Sequence, residues 1–216
     1  MRVGAASDVG LVRDANEDAF LVTPETGVVA VADGLGGHAA GEVASATAVD
    51  SLRAALAGLP EAAERDVATR LADAVQEAHR AVVEGGRDPA RFGMGTTVVV
   101  AHVRPGRAWV VHVGDSRAYL LGPAGLVPLT RDHGAGGMLT QALGLGDVVP
   151  EAVELKTAPG DRLLLCTDGL TGTTDEAEIA RLLAQGEPQG ACDALVEAAL
   201  RGGGIDNTTV VVVDTD

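Results

Sequence analysis

The sequence predicts an α+β fold: a four-layer α-β-β-α sandwich of two stacked, mainly antiparallel sheets with a helix pair on each outer face. Three observations predict it. Strand-like segments rich in valine and leucine, cut by Gly, Pro and Asp, recur from residue 2 to residue 214. Helical periodicity is confined to two blocks, at 41–84 and 174–201. The order is therefore strands, two helices, many strands, two helices and a last strand. A doubly wound parallel sheet would instead alternate helices with strands.

The strand segments fall at about 2–7, 18–23, 27–33, 96–103, 106–113, 116–121, 126–130, 152–156, 161–167 and 208–214. Arg104-Pro105-Gly106-Arg107 reads as the hairpin turn between the fourth and fifth of these. The first helix, 41–58, carries Leu52, Leu56 and Leu59 at helical spacing beside an alanine-rich face. The second, 61–84, puts Val67, Leu71, Val75, Ala78 and Val82 on one stripe. Both read as ordinary core-facing helices. Residues 174–184 and 188–201 form the second pair, with Gly202-Gly203-Gly204 as the stop.

With 216 residues, 46% of them hydrophobic, the chain predicts one domain, 1–216, with an ample core. No apolar run approaches the ~20 residues that span a bilayer, and the N-terminus lacks the apolar stretch of a signal peptide. A cytoplasmic protein is expected. Cys166 lies mid-strand and Cys192 in a helix, which predicts two buried, reduced thiols. A net charge of −15 and 2% aromatic content argue against nucleic acid as a partner, on both electrostatic and stacking grounds.

The chemistry concentrates at strand ends. Val28 to Val31 lead into Ala32-Asp33-Gly34-Leu35-Gly36-Gly37-His38, so an apolar strand delivers a carboxylate into a glycine turn. Leu163-Leu164-Leu165-Cys166-Thr167-Asp168-Gly169 repeats the pattern, Val113-Gly114-Asp115-Ser116-Arg117 varies it, and Asp206-Asn207-Thr208-Thr209 precedes the last strand. Turn-capping aspartates are the competing explanation for each one singly. Together they suit an oxygen-rich site for Mg²⁺ or Mn²⁺, because an unpaired buried carboxylate is costly and such cations are its natural counter-charge. No cluster of His and Cys stands at zinc spacing, and no EF-hand loop is present. Arg13-Asp14-Ala15-Asn16-Glu17-Asp18 adds a guanidinium fork and further carboxylates. Arginine matches phosphate oxygens bidentately and paired metals serve in-line displacement, so the set points to phosphate ester hydrolysis. For Arg13 the rival reading is a surface ion pair with Asp14 or Glu17. For Asp115 it is a local pair with Arg117.

Eight segments, in order and spanning nearly the whole chain, resemble the metal-dependent type-2C Ser/Thr protein phosphatases (the PPM family) in their compact bacterial form. They are Arg13-x-x-Asn16-Glu17-Asp18, Val31-Ala32-Asp33-Gly34-x-Gly36-Gly37-His38-x-x-Gly41-Glu42-x-Ala44-Ser45, Gly93-Met94-Gly95-Thr96-Thr97, Val113 to Tyr119, Leu129-Thr130-x-Asp132-His133, Leu139 to Gly144, Leu165 to Leu170, and Asp206 to Thr209. The resemblance implies that Asp33 bridges two Mn²⁺ or Mg²⁺ ions, with the Gly34 carbonyl on one and Asp168 and Asp206 on the other. It implies that Glu17 and Asp18 hold water on the ions, that Arg13 grips the substrate phosphate, and that Asp115 with Asp168 holds a third, weaker ion. The implied nucleophile is a water bridging the metals. The implied partners are phosphorylated Ser/Thr proteins and an opposing Ser/Thr kinase, and the implied state is a monomer.

Two departures from the family pattern stand out. Leu35 follows Asp33-Gly34 where some relatives carry a histidine proposed as general acid, and His38 comes three residues later with no role that can be carried over. The flap that bacterial relatives insert between 133 and 139 is reduced to Gly134-Ala135-Gly136-Gly137-Met138. Such a bridge cannot form a helical lid, so a more open cleft, weaker retention of the third ion and broader or partner-directed substrate choice are expected. Two other functions compete: a non-catalytic phosphoprotein-binding module, and a phosphatase for small phosphoesters or anti-sigma-factor antagonists.

Overall fold

The structure, a computed structural model, describes residues 1–35, 40–59, 62–135 and 138–215. The chain opens with strands β1 (Arg2–Asp8), β2 (Asp18–Thr23) and β3 (Val28–Leu35), followed by helices α1 (Gly41–Ala55) and α2 (Glu64–Gly85). Eight strands come next: β4 (Gly95–Thr96), β5 (Val98–Arg104), β6 (Arg107–Val113), β7 (Arg117–Gly122), β8 (Gly125–Pro128), β9 (Gly134–Ala135), β10 (Met138–Leu139) and β11 (Glu151–Lys156). The chain then runs through β12 (Asp161–Cys166), α3 (Asp168–Thr171), α4 (Glu176–Leu183) and α5 (Pro188–Arg201) into β13 (Thr208–Thr215).

One sheet runs β1-β13-β12-β7-β8 and the other β11-β6-β5-β3-β2, with antiparallel pairings throughout both. The four predicted layers are present because the inner strands are apolar on both faces. Strand side chains alternate between faces. On β12, Leu163 and Leu165 meet Val29 and Val31 of β3 between the sheets, whereas Leu164 and Cys166 face Leu195 and Cys192 of α5. Likewise Ala30 and Ala32 of β3 turn outward toward α1, into the apolar layer that also holds Leu52 of α1 and Val67 and Leu71 of α2. Three apolar layers result. Cys166 and Cys192 are both free and buried, as expected.

The differences from the predicted elements have local causes. The first helix ends at Ala55, short of 58, and Leu56 and Leu59 enter the core from a turn closed by the Leu59 N–H on the Leu56 carbonyl, 3.0 Å. The segment 96–103 divides at Thr97, although its register against β3 is continuous. There the Thr97 hydroxyl, not a backbone carbonyl, accepts the Asp33 N–H at 3.0 Å. The one-turn helix α3 and the hairpin of β9 and β10 are too short to carry a periodic signal. The hairpin stands where the reduced flap was expected, and Gly136 and Gly137 lie outside the described residues. The Pro105-Gly106 turn joins β5 to β6 as expected, with Gly106 at φ +79°.

Candidate active site

Register gathers the predicted residues at one end of the sandwich. Asp8, the last residue of β1, pairs with Thr208, the first of β13, so the loops at 9–17 and 202–207 leave side by side. Cys166, the last of β12, lies between Val210 and Arg117, which brings Asp168 and Asp115 to the same edge. Asp18 opens β2 directly opposite Asp33 on β3. Arg13, Glu17, Asp33, Gly34, Asp115, Asp168 and Asp206 all line one cleft of about 320 Å³, with Leu35, Leu139 and Asn207. Asp18 does not line it; the Thr167 hydroxyl donates to its Oδ2 at 2.9 Å.

The backbone around these carboxylates is tightly held. A Cβ on Gly34 would collide with the carbonyl oxygens of Gly41 and Glu17, and one on Gly169 with the carbonyl of Asn207. The Gly34 N–H donates to the Glu17 carbonyl at 3.1 Å, and the Ser45 hydroxyl donates to the same oxygen at 2.6 Å. Asp33 is fixed from the other side, its carbonyl accepting from the Thr97 N–H (2.9 Å) and the Thr96 hydroxyl (2.8 Å).

Arg13 donates from Nη2 to Asp206 Oδ2 at 2.8 Å, so neither Asp14 nor Glu17 is its partner, and the side chain remains 49% exposed. Arg117 forks onto both oxygens of Asp132 at 2.8 and 2.7 Å, which leaves Asp115 without the local ion pair and turned to the cleft. His38 lies outside the described residues. Helix α1 begins after Ala40, at φ 63°, with no side-chain cap.

Asn207 and Thr167 were not legible as functional. Asn207 Oδ1 accepts the Glu17 N–H at 2.8 Å, while its Nδ2 donates to the carbonyls of Val9 and Ala15, both at 2.9 Å. It ties the Arg13 loop to the Asp206 loop. Its place beside Asp206 was the only signal, because these contacts span about 190 residues.

The electrostatics ask for a cation. Burial, followed by the charges of Asp18 and Asp168, holds Asp33 well above the ordinary carboxylate range. Burial pushes Asp18 up to about 7 against the lowering hydrogen bonds of Thr209 and Thr167, and Asp168 and Asp115 are raised too, chiefly by burial. Burial and then Glu42 raise Glu17. Asp18 Oδ1 and Asp168 Oδ1 are buried without a hydrogen-bond partner. Hard anionic oxygens, crowded and unsatisfied, fit divalent cations of the Mg²⁺ or Mn²⁺ kind.

The comparisons agree with this geometry. The family model described as Protein phosphatase 2C matches residues 12–198. The serine/threonine protein phosphatase PstP of Mycobacterium tuberculosis is 37% identical over 99% of this chain, which spans 45% of that relative's length. The serine/threonine phosphatase stp of Listeria monocytogenes is 34% identical over 97% of the chain and 94% of its own length. Both alignments extend over 236 residues or more against the 216 of this chain, so these relatives carry segments that it lacks. The crystal structure of the PstP catalytic domain in complex with two manganese ions superposes with a TM-score of 0.89 at 36% identity, covering 99% of this chain and 97% of that one. PppA of Pseudomonas aeruginosa gives 0.90 at 34% identity, covering 100% of this chain and 97% of that one. With a matching family model across most of its length and relatives above 30% identity covering nearly all of it, the chain belongs to the protein phosphatase 2C family.

Proposed function

We propose that residues 1–216 form a single catalytic domain that hydrolyses phosphoserine and phosphothreonine in proteins with Mn²⁺ or Mg²⁺. The observation that carries this reading is the half-buried carboxylate cluster, with two buried and unsatisfied oxygens, at a cleft that also holds an arginine. The two manganese ions of the PstP structure support it. Asp33 would stand between two ions, with the Gly34 carbonyl on one and Asp168 and Asp206 on the other, and Asp115 with Asp168 would hold a weaker third. When bound, such cations lower the pKa of water and stabilise the attacking and leaving oxygens of an in-line displacement.

The chain's own residues bind and orient. Arg13 is half exposed and held by Asp206 at 2.8 Å, so its remaining guanidinium donors are free to take phosphate oxygens. Glu17, fixed through Asn207 and packed against Gly41, would orient water in the cleft, and Asp18, held by Thr167 opposite Asp33 and behind the lining, would orient water held by the cations. Among the described residues no histidine lines the cleft. The brevity of the segment between His133 and Leu139, where β9 pairs with β10, supports a more open cleft, weaker hold on a third ion and broad or partner-directed substrate choice. The reading brings with it an opposing Ser/Thr kinase, a monomer and a cytoplasmic setting. No described helix is long and apolar enough to cross a membrane.

The test is hydrolysis of a phosphothreonine peptide and a chromogenic phosphate ester, with Mn²⁺ and with EDTA. Peptide hydrolysis that EDTA abolishes is expected. Turnover indifferent to EDTA contradicts the metal role, binding without turnover makes the chain a phosphoprotein-binding module, and cleavage of the ester alone makes it a small-phosphoester phosphatase.

A further inference from the structure

A second cluster of metal-ligating side chains lies outside the cleft, and the reaction proposed above uses none of it. His112 of β6, His133 of the loop after β8, and Glu151 of β11 bring one ligand atom each to within 4.8 Å of one another. The strands dictate part of this, since Glu151 is the register partner of His112. His112 Nε2 lies 3.7 Å from Glu151 Oε2, His133 Nε2 lies 3.4 Å from Glu151 Oε1, and the imidazole rings are 4.6 Å apart. The histidine side chains are 1% and 5% exposed, against 57% for the carboxylate. His112 Nδ1 and His133 Nε2 have no hydrogen-bond partner.

We propose that His112, His133 and Glu151 bind a Zn²⁺ ion, at a site separate from the oxygen-lined cleft. Two imidazoles and a carboxylate with a fourth position open to water is a ligand set that Zn²⁺ takes readily, whereas Mg²⁺ and Mn²⁺ prefer all-oxygen sites. At bond lengths of 2.0–2.1 Å a tetrahedral ion holds its ligand atoms about 3.3 Å apart. The nitrogen–oxygen separations of 3.4 and 3.7 Å run to different oxygens of Glu151, and the three ligand atoms lie within 4.8 Å of one another, so the exposed Glu151 must turn one oxygen toward both histidines to close the site.

One contact opposes the ion. His133 Nδ1 accepts the Gly114 N–H at 3.3 Å, and coordination through Nε2 places the ring's proton on Nδ1, so that hydrogen bond must open. A single neutral hydrogen bond of this length is weak beside the coordination of a divalent ion by two imidazoles and a carboxylate. Gly114 precedes Asp115, so occupancy at the histidines displaces a peptide next to a cleft carboxylate.

The inference stands apart from the phosphatase reading and is tested without activity. Zinc is added to an Asp33→Asn variant in excess Mg²⁺, the bound metal is counted after dialysis, and its ligands are read by X-ray absorption. One retained zinc with two imidazole scatterers is expected, together with a shifted Gly114 amide resonance. Adding Glu151→Gln, an exposed and fold-neutral change, should weaken that zinc at least about tenfold. No retained zinc, oxygen-only ligation, or retention indifferent to Glu151→Gln overturns the site. The trio is then a hydrogen-bonding cluster only.

Discussion

Asp33 is half-buried and flanked by Asp18 and Asp168 on elements that the fold forces together. Removing its charge has opposite effects on turnover and on stability. On the proposed reading Asp33→Asn removes the ligand shared by both ions and should lower phosphatase activity by several orders of magnitude. The same variant in EDTA should melt no lower than the parent, and higher if relief of repulsion dominates; thermal scans with and without Mn²⁺ check this. Asn207 should behave differently. Its side chain makes three hydrogen bonds between loops, so Asn207→Ala should cost about 2–4 kcal/mol in denaturant unfolding and reduce activity as the Glu17 loop loosens. Asp33 and Asp168 were legible because an Asp-Gly at the end of an apolar strand is a local pattern, whereas Glu17 and Asp18 were legible through the family resemblance. Asn207, Thr167 and the His112–His133–Glu151 trio were not, because their meaning lies in contacts between distant segments.

Strands and long helices announce themselves through repetition, and α2 is the clearest case, with Val67, Leu71, Val75, Ala78 and Val82 all fully buried along one stripe. The strand β5 carries a prediction of its own. Its His102 is 1% exposed, and Nε2 accepts from Arg104 Nε at 2.8 Å. Burial, with Arg104, lowers the His102 pKa to about 4. The folded protein thus binds a proton less readily than the unfolded chain, whose histidine titrates near 6.5. The neutral form's contribution is intact above pH 6.5 and is lost as pH falls toward 4, by on the order of 2–3 kcal/mol. A His102→Gln variant should show a flatter loss of stability across that window in urea titrations. An equally steep loss in the variant would assign the acid sensitivity to other groups. Short elements gave no such warning: α3 and the β9–β10 hairpin are fixed by the loops beside them rather than by any repeat.

The four-layer arrangement was legible as a whole from the order of strand and helix blocks, and the structure gives its physical reason in β3, β12 and β13, which are apolar on both faces. Leu163 packs between the sheets and Leu164 beneath the C-terminal helices, although they are neighbours in sequence. Leu163→Ala and Leu164→Ala should each cost about 2–5 kcal/mol. Because their side chains share no packing layer, any departure of the double variant's cost from the sum measures coupling through the backbone of β12. The same stacking brings the ends of β1, β3, β7, β12 and β13 to one edge, and that convergence assembles the carboxylates. The most direct measurement of what they assemble for is anomalous diffraction from crystals soaked in Mn²⁺. The account predicts two strong peaks among Asp33, Asp168 and Asp206; density maps without an anomalous scatterer beside these side chains would contradict it.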